Sequence, residues 1–412
     1  MENFLLKGGR VIDPASNFDR KADLLIENGK IKRVGQLRVP RSVKIIDCSN
    51  KIVCPGLIDM HVHGRTPGQE KKENLGSLSL AAIMGGYTTL FCMANTSPPV
   101  DNVETLRLVQ ALAEGVRLIN IYQVTAMTIG LAGKELVDLA AMKKQGAIAV
   151  SDDGKAIQSR ELLAKALLKA KENGLPFLIH CEDNRFSPYE KKSEYLYLRM
   201  VIKVAEKLKC PVHIQHVSCA KSVWLIYEAK SRGVLITSET APHYPALNQK
   251  DFKRIGTNAK MNPPLGDEED QEAVISGLRN RTIDVIATDH APHTPEEKNQ
   301  PLDKAPFGII GLETAVPVVL TTLADKIPLM DIIRKLTKNP AKILGLEGKG
   351  TLSPGSVADI TVIDPSLEKI VEVDKFQSLS SNCPWIGEVL QGWPVLTIRN
   401  GNILMRDGKL II

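Results

Sequence analysis

Aromatic side chains are scarce in this sequence, at 4% of 412 residues. Lys and Arg outnumber Asp and Glu by only 53 to 47, a formal net charge of +6 with no long basic run. A nucleic-acid partner, which wants clustered cations interleaved with aromatics, is therefore not expected. The mild positive excess suits a small anionic substrate instead. The seven cysteines show no C-x-x-C spacing, which argues against a disulfide framework and against a thiolate zinc site. No apolar run reaches the roughly 20 residues that span a membrane. The stretch Met1–Lys7 lacks the apolar core and cleavage site of a signal peptide. The expected compartment is a reducing cytoplasm, with no membrane partner. Hydrophobic residues, at 43%, allow a large packed core.

The two ends of the chain read as short strands and turns. Asn28-Gly29 and Asn400-Gly401 each sit between apolar runs, the pattern of a tight hairpin. Residues 1–53 and 346–412 are expected to pair into one small β-rich domain, with residues 54–345 inserted between them. In that insert, eight apolar β-branched runs alternate with helical patterns: Gly56–Met60, Thr88–Met93, Ile119–Thr125, Ala147–Val150, Pro176–Ile179, Val212–Val217, Val234–Thr237 and Asp284–Thr288. Such alternation implies right-handed βαβ units, and eight of them close a (β/α)8 TIM barrel. Ser159–Asn173 and Pro328–Lys338 are expected among its outer helices. Glu70–Glu73 reads as a short mixed-charge run, a solvated loop or a helix start, and Gly345–Thr351 fails the spacing of a phosphate loop.

Nearly every run ends in a polar group able to bind a metal or substrate: His61 and His63, Asn95, Asp153, His180, His216, His243 and Asp289. Barrel active sites lie at the C-terminal ends of the strands, so these distant residues should converge. His61 and His63, two apart on a strand, can face one ion. Neutral imidazole and carboxylate suit zinc. His213 and His290 should point away from His216 and Asp289 by alternation and act in support, as should His243.

The motifs Asp59-Met60-His61-Val62-His63-Gly64-Arg65-Thr66-Pro67-Gly68, Met93-Ala94-Asn95-Thr96, Ser151-Asp152-Asp153-Gly154, His180-Cys181-Glu182-Asp183, His213-Ile214-Gln215-His216, Asn262-Pro263-Pro264-Leu265, Thr288-Asp289-His290-Ala291-Pro292-His293 and Phe307-Gly308 resemble the class I dihydroorotases of the amidohydrolase superfamily. The resemblance implies one or two Zn2+ per chain: His61, His63 and Asp289 on one ion, His180 and His216 on the second. Asp153 would bridge them in place of the carboxylated lysine of many relatives, with Asp152 its rival. Asp289 would be the catalytic proton carrier. Arg65 and Asn95 would grip the substrate carboxylate, helped by His293, while Asn262, Phe307 and Gly308 would meet the ring edge. The implied reaction is the reversible cyclisation of N-carbamoyl-L-aspartate to dihydroorotate in pyrimidine synthesis. The alternatives are another cyclic amidase, an allantoinase or hydantoinase, and a weakly active subunit scaffolding aspartate carbamoyltransferase. A homo-oligomer fits all of these. Gly64, Thr66, Gly266 and a short segment after Asp183 depart from the family pattern.

Overall fold

The structure, a computed structural model, describes residues 3–38 and 43–412. Its centre is a ring of parallel strands. Leu57–Val62, Tyr87–Cys92 and Asn120–Gln123 pair in that order, and Leu178–Ile179, Val212–Ile214, Ile236–Thr240 and Val285–Ile286 form a second run. Val150 joins the two runs through single bridges to Thr125 and Phe177, and Val62 closes the ring against His290. The protein is thus a (β/α)8 barrel whose fourth strand is reduced to an isolated bridge. The expected runs locate all eight positions. Their bounds shift most at the seventh strand, which extends to Thr240 rather than ending at Thr237.

The outer helices form where the sequence supplies both an apolar stripe and a cap. In Arg160–Glu172, the Ser159 side chain accepts from Leu162 N, and Leu163, Ala166, Leu167 and Ala170 face the core. Each fully buried Leu there contributes about 2 kcal/mol of transfer free energy. Pro328 lies just before helix Leu329–Leu336, and Thr337, outside helical geometry, separates it from Lys338–Ile343. Inside the ring, Ile58, Met60, Phe91, Val124, Leu178 and Val285 pack into one apolar plug beneath the polar strand ends.

Both chain ends build a single nine-stranded sheet, in which Ile52–Pro55 pairs antiparallel with Ile360–Ile370. Both expected hairpins form. Asn28 and Gly29 have φ of 51° and 74°, Asn400 and Gly401 of 50° and 74°, the left-handed pair that a two-residue turn demands.

Candidate active site

The four expected histidines converge with two aspartates at the C-terminal mouth of the ring. His61 and His63 leave the first strand; His180 and His216 follow the fifth and sixth. Asp153 lies past the Val150 bridge, and Asp289 past Val285–Ile286. Asp153 Oδ1 is buried and accepts no hydrogen bond. It faces His61 Nε2 at 3.4 Å, His180 Nδ1 at 3.5 Å and His216 Nε2 at 3.6 Å. Asp289 Oδ1 lies 3.0 Å from His63 Nε2 and 3.5 Å from His61 Nε2. Two groups therefore bring their donor atoms within 4.8 Å of one another, His61–His63–Asp289 and His61–Asp153–His216. An orphaned carboxylate oxygen ringed by imidazole nitrogens at that spacing fits a shared cation better than it fits hydrogen bonds. Asp152 is the wrong partner for it. Its carboxylate accepts from Met127 N, Thr128 N and the Thr128 hydroxyl, and so is turned away.

The local charges favour a cation as well. Burial lowers the His61 pKa, but Asp153, Asp289 and Glu239 more than offset it and hold the ring well above its usual range. His180 rises to about 9, where Asp153 and Glu182 outweigh burial. Burial pushes Asp289 up, yet His61 and His63 bring it down to about 2. His243 is driven the other way, to about 4, chiefly by burial. Its Nε2 has no hydrogen-bond partner, and its ring lies against that of Tyr244, centroids 4.2 Å apart and tilted by 58°.

Two carboxylates orient these rings, and the strand-end reading gave neither a role. Glu239 Oε1 accepts from His61 Nδ1 at 2.6 Å, and its Oε2 pairs with His213 Nε2 at 3.1 Å. Glu182 Oε2 accepts from His180 Nε2 at 2.7 Å and from Asn262 Nδ2 at 2.9 Å. Carboxylates behind metal-type histidines fix the ring and its tautomer. Glu239 carries a signal, as an acid at a strand end, but the apolar run stops at Thr237, three residues short of the strand's end at Thr240.

The expected substrate residues rim the same mouth. Arg65 is 8% exposed; its Nε donates to Pro292 O at 3.1 Å, and its Nη2 lies 3.3 Å from His293 Nε2. His293 Nε2 donates to Phe307 O at 2.8 Å, and burial, followed by the charge of Arg65, holds the ring neutral with a pKa of about 3. Asn95 is drawn inward: its Oδ1 accepts from His63 Nδ1 at 2.9 Å, and its Nδ2 has only a 3.5 Å contact to Asp153. Gly308 has φ 131°, and a Cβ there would meet Ala291 and His293.

One expectation is corrected. Glu73 is not solvated but fully buried, accepting from the Ser77 and Ser378 hydroxyls and meeting His290 Nε2 at 3.4 Å. That contact gives His290 the supporting place expected of it. Two departures from the family pattern have steric causes. A Cβ at Gly64 would lie 2.9 Å from Cys92 Sγ, and one at Gly266 would strike Asp270 at 2.4 Å.

A barrel mouth that gathers imidazoles and carboxylates is the setting of metal-assisted hydrolysis. The chain belongs to the amidohydrolase family, which matches residues 52–404. It is similar to the dihydroorotase of Pelobacter propionicus, 42% identical over 98% of this chain and 100% of that one. The dihydroorotase of Pelotomaculum thermopropionicum is 42% identical over 98% of each chain. Among solved structures, L-hydantoinase (dihydropyrimidinase) from Arthrobacter aurescens matches with a TM-score of 0.91 at 24% identity, over 100% of this chain and 98% of that one. Dihydropyrimidinase from Brevibacillus agri matches at 0.89 and 22%, over 99% and 96%. At such identities these structures support the fold alone. No helix among the described residues is long and apolar enough to cross a membrane.

Proposed function

We propose that this protein is a zinc-dependent dihydroorotase, interconverting L-dihydroorotate with water and N-carbamoyl-L-aspartate in the cytoplasm. The observation that carries this reading is the shared donor set around Asp153 Oδ1 with a buried Arg65 on the same rim. His61, His63 and Asp289 would hold one zinc, His180 and His216 a second, with Asp153 between them. When bound, zinc lowers the pKa of water toward neutrality and acts as a Lewis acid.

The protein's own groups do the rest. Asp289, held ionised beside His61 and His63, takes a proton from the attacking water and delivers it to the departing amide nitrogen. In ring closure the same carboxyl returns that proton as water leaves. Arg65 offers a charge-assisted fork to the substrate carboxylate, and the Asn95 amide adds a donor. His293, Asn262 and the Phe307-Gly308 backbone border the ring.

A hydantoinase or allantoinase reading is disfavoured because residues 147–153 contain no lysine to carboxylate and because Arg65 calls for an acidic substrate. The deciding experiment measures hydrolysis of dihydroorotate by the purified chain alone, with zinc determined on the same sample. The expected result is turnover with roughly one to two zinc per chain. Activity that appears only when aspartate carbamoyltransferase is added would favour the scaffolding reading. Full activity without zinc would reject the metal assignment, and equal turnover of dihydrouracil or allantoin would reject the substrate.

A further inference from the structure

Three separate segments bring Asn262, His293 and Phe307-Gly308 to the rim, and backbone carbonyls of the first and third meet at one buried ammonium carried by the second. Lys298 is 3% exposed. Its Nζ donates to Gly308 O at 2.8 Å, to Pro306 O at 3.0 Å and to Lys260 O at 3.5 Å. Gly308 N donates to that same Lys260 carbonyl at 2.9 Å, two residues before Asn262. Lys298 ends the short helix Pro295–Lys298, whose cap, Thr294, follows His293 directly. Lys260 is buried to the same degree, and its Nζ donates to Leu302 O and Ala305 O. Its ammonium also stands 4.6 Å from the centre of the Phe307 ring, which Tyr189 faces from 5.4 Å.

Neither ammonium pairs with a carboxylate among the described residues. The adjacent acid, Glu297, is turned instead to Lys72 at 2.9 Å and His293 at 3.2 Å. Burying a cation without a carboxylate partner is expensive, and only its carbonyl contacts offset that cost. What the ammonium supplies is position: one tetrahedral donor fixes backbone from segments that share no regular pairing. Burial, and then the charge of Lys260, pushes Lys298 down to about 7. Even the neutral amine keeps two donors, enough for its two short contacts.

We propose that Lys298, seconded by Lys260, is a positioning residue for substrate binding, tying the Asn262, His293 and Phe307-Gly308 segments into one preorganised rim. The inference rests on the dihydroorotase reading for the identity of the substrate. Lys298→Met and Lys298→Gln, zinc-loaded, are compared with wild type on dihydroorotate and by amide hydrogen exchange over residues 300–309. Leaving buried carbonyls without a donor should raise KM roughly tenfold or more in Lys298→Met, far more than kcat falls. Lys298→Gln, which keeps two donors, should recover part of that loss, and zinc content should stay the same. Exchange over 300–309 should speed up in both variants. An unchanged KM, or a fall in kcat and zinc content in parallel with Tm, would overturn the proposal. If wild type leaves dihydroorotate untouched, the functional reading fails, and the positioning role is then judged by exchange alone: unaltered protection in the variants rejects it. Should Lys298→Met not fold, Lys298→Gln decides by the same two readings.

Discussion

Replacing Arg65 with Met isolates the group proposed to read the substrate's charge. The guanidinium is almost fully buried, yet no carboxylate pairs with it among the described residues; its contacts are Pro292 O and His293. Of the five N–H donors such a group carries, most remain for a ligand. Burial lowers its pKa to about 10, against the pull of Asp289, Glu297 and Asp153. The free protein therefore bears the desolvation of this charge, and an arriving carboxylate relieves it. Truncating one side of a buried charge pair costs about 2–5 kcal/mol. In kcat/KM for dihydroorotate that is roughly 30-fold to several thousandfold, at 1.4 kcal/mol per decade. Dihydrouracil, the same ring without the carboxylate, should start as a very poor substrate and lose little. The specificity ratio should therefore collapse while zinc content holds. Steady-state kinetics on both substrates, with metal analysis, measures this. If both kcat/KM values fall by the same factor, Arg65 supports the scaffold or the metal site and does not read the carboxylate.

Asp289→Asn should abolish turnover in a folded protein, because an amide cannot carry the proton and is a poorer ligand; near-normal kcat would remove Asp289 from the chemistry. Glu239→Gln leaves only one oxygen for two imidazoles, so zinc affinity should drop on the order of 10–100-fold in a chelator competition. Unchanged affinity would make Glu239 mere packing. Glu313, whose oxygens accept from Gln377 N and Ser378 N, is raised by burial to about 8. Because its folded pKa lies above the unfolded one, the stability it adds is complete below about 4.5 and is lost as pH climbs through about 8. Glu313→Gln should flatten that fall and stabilise the protein at pH 9 by on the order of 2 kcal/mol in urea melts; parallel pH profiles would contradict this.

The histidines are legible because a strand end followed by His is visible in one dimension. Alternation lets only one of Asp152 and Asp153 face them, and the family resemblance, not the pattern, singles out Asp153. What escaped was polar residues buried for the sake of the site. Ser238, Glu239 and Thr240 belong to the seventh strand and are fully buried, yet an apolar-run criterion stops at Thr237. Glu73 looked solvated beside Glu70, Lys71 and Lys72. Two of its partners, Ser378 and His290, lie more than 200 positions away in sequence. Asn95 was placed at the correct strand end, but its lean toward His63 comes from packing that no local pattern encodes. The fourth strand shows the limit from the other side: Ala147–Val150 reads as a strand, while only Val150 makes a bridge.

The pairing of Ile52 with Ile363 has a consequence for biosynthesis. During translation, Ile52–Pro55 emerges some 300 residues before its antiparallel partner. At about 5–20 residues per second, the N-terminal strands wait roughly 15–60 seconds with one edge open while the whole barrel is made. An open edge is a template for pairing with another chain. The most vulnerable moment for this protein should thus fall on the ribosome, and nascent chains stalled before residue 360 should be the species that chaperones capture.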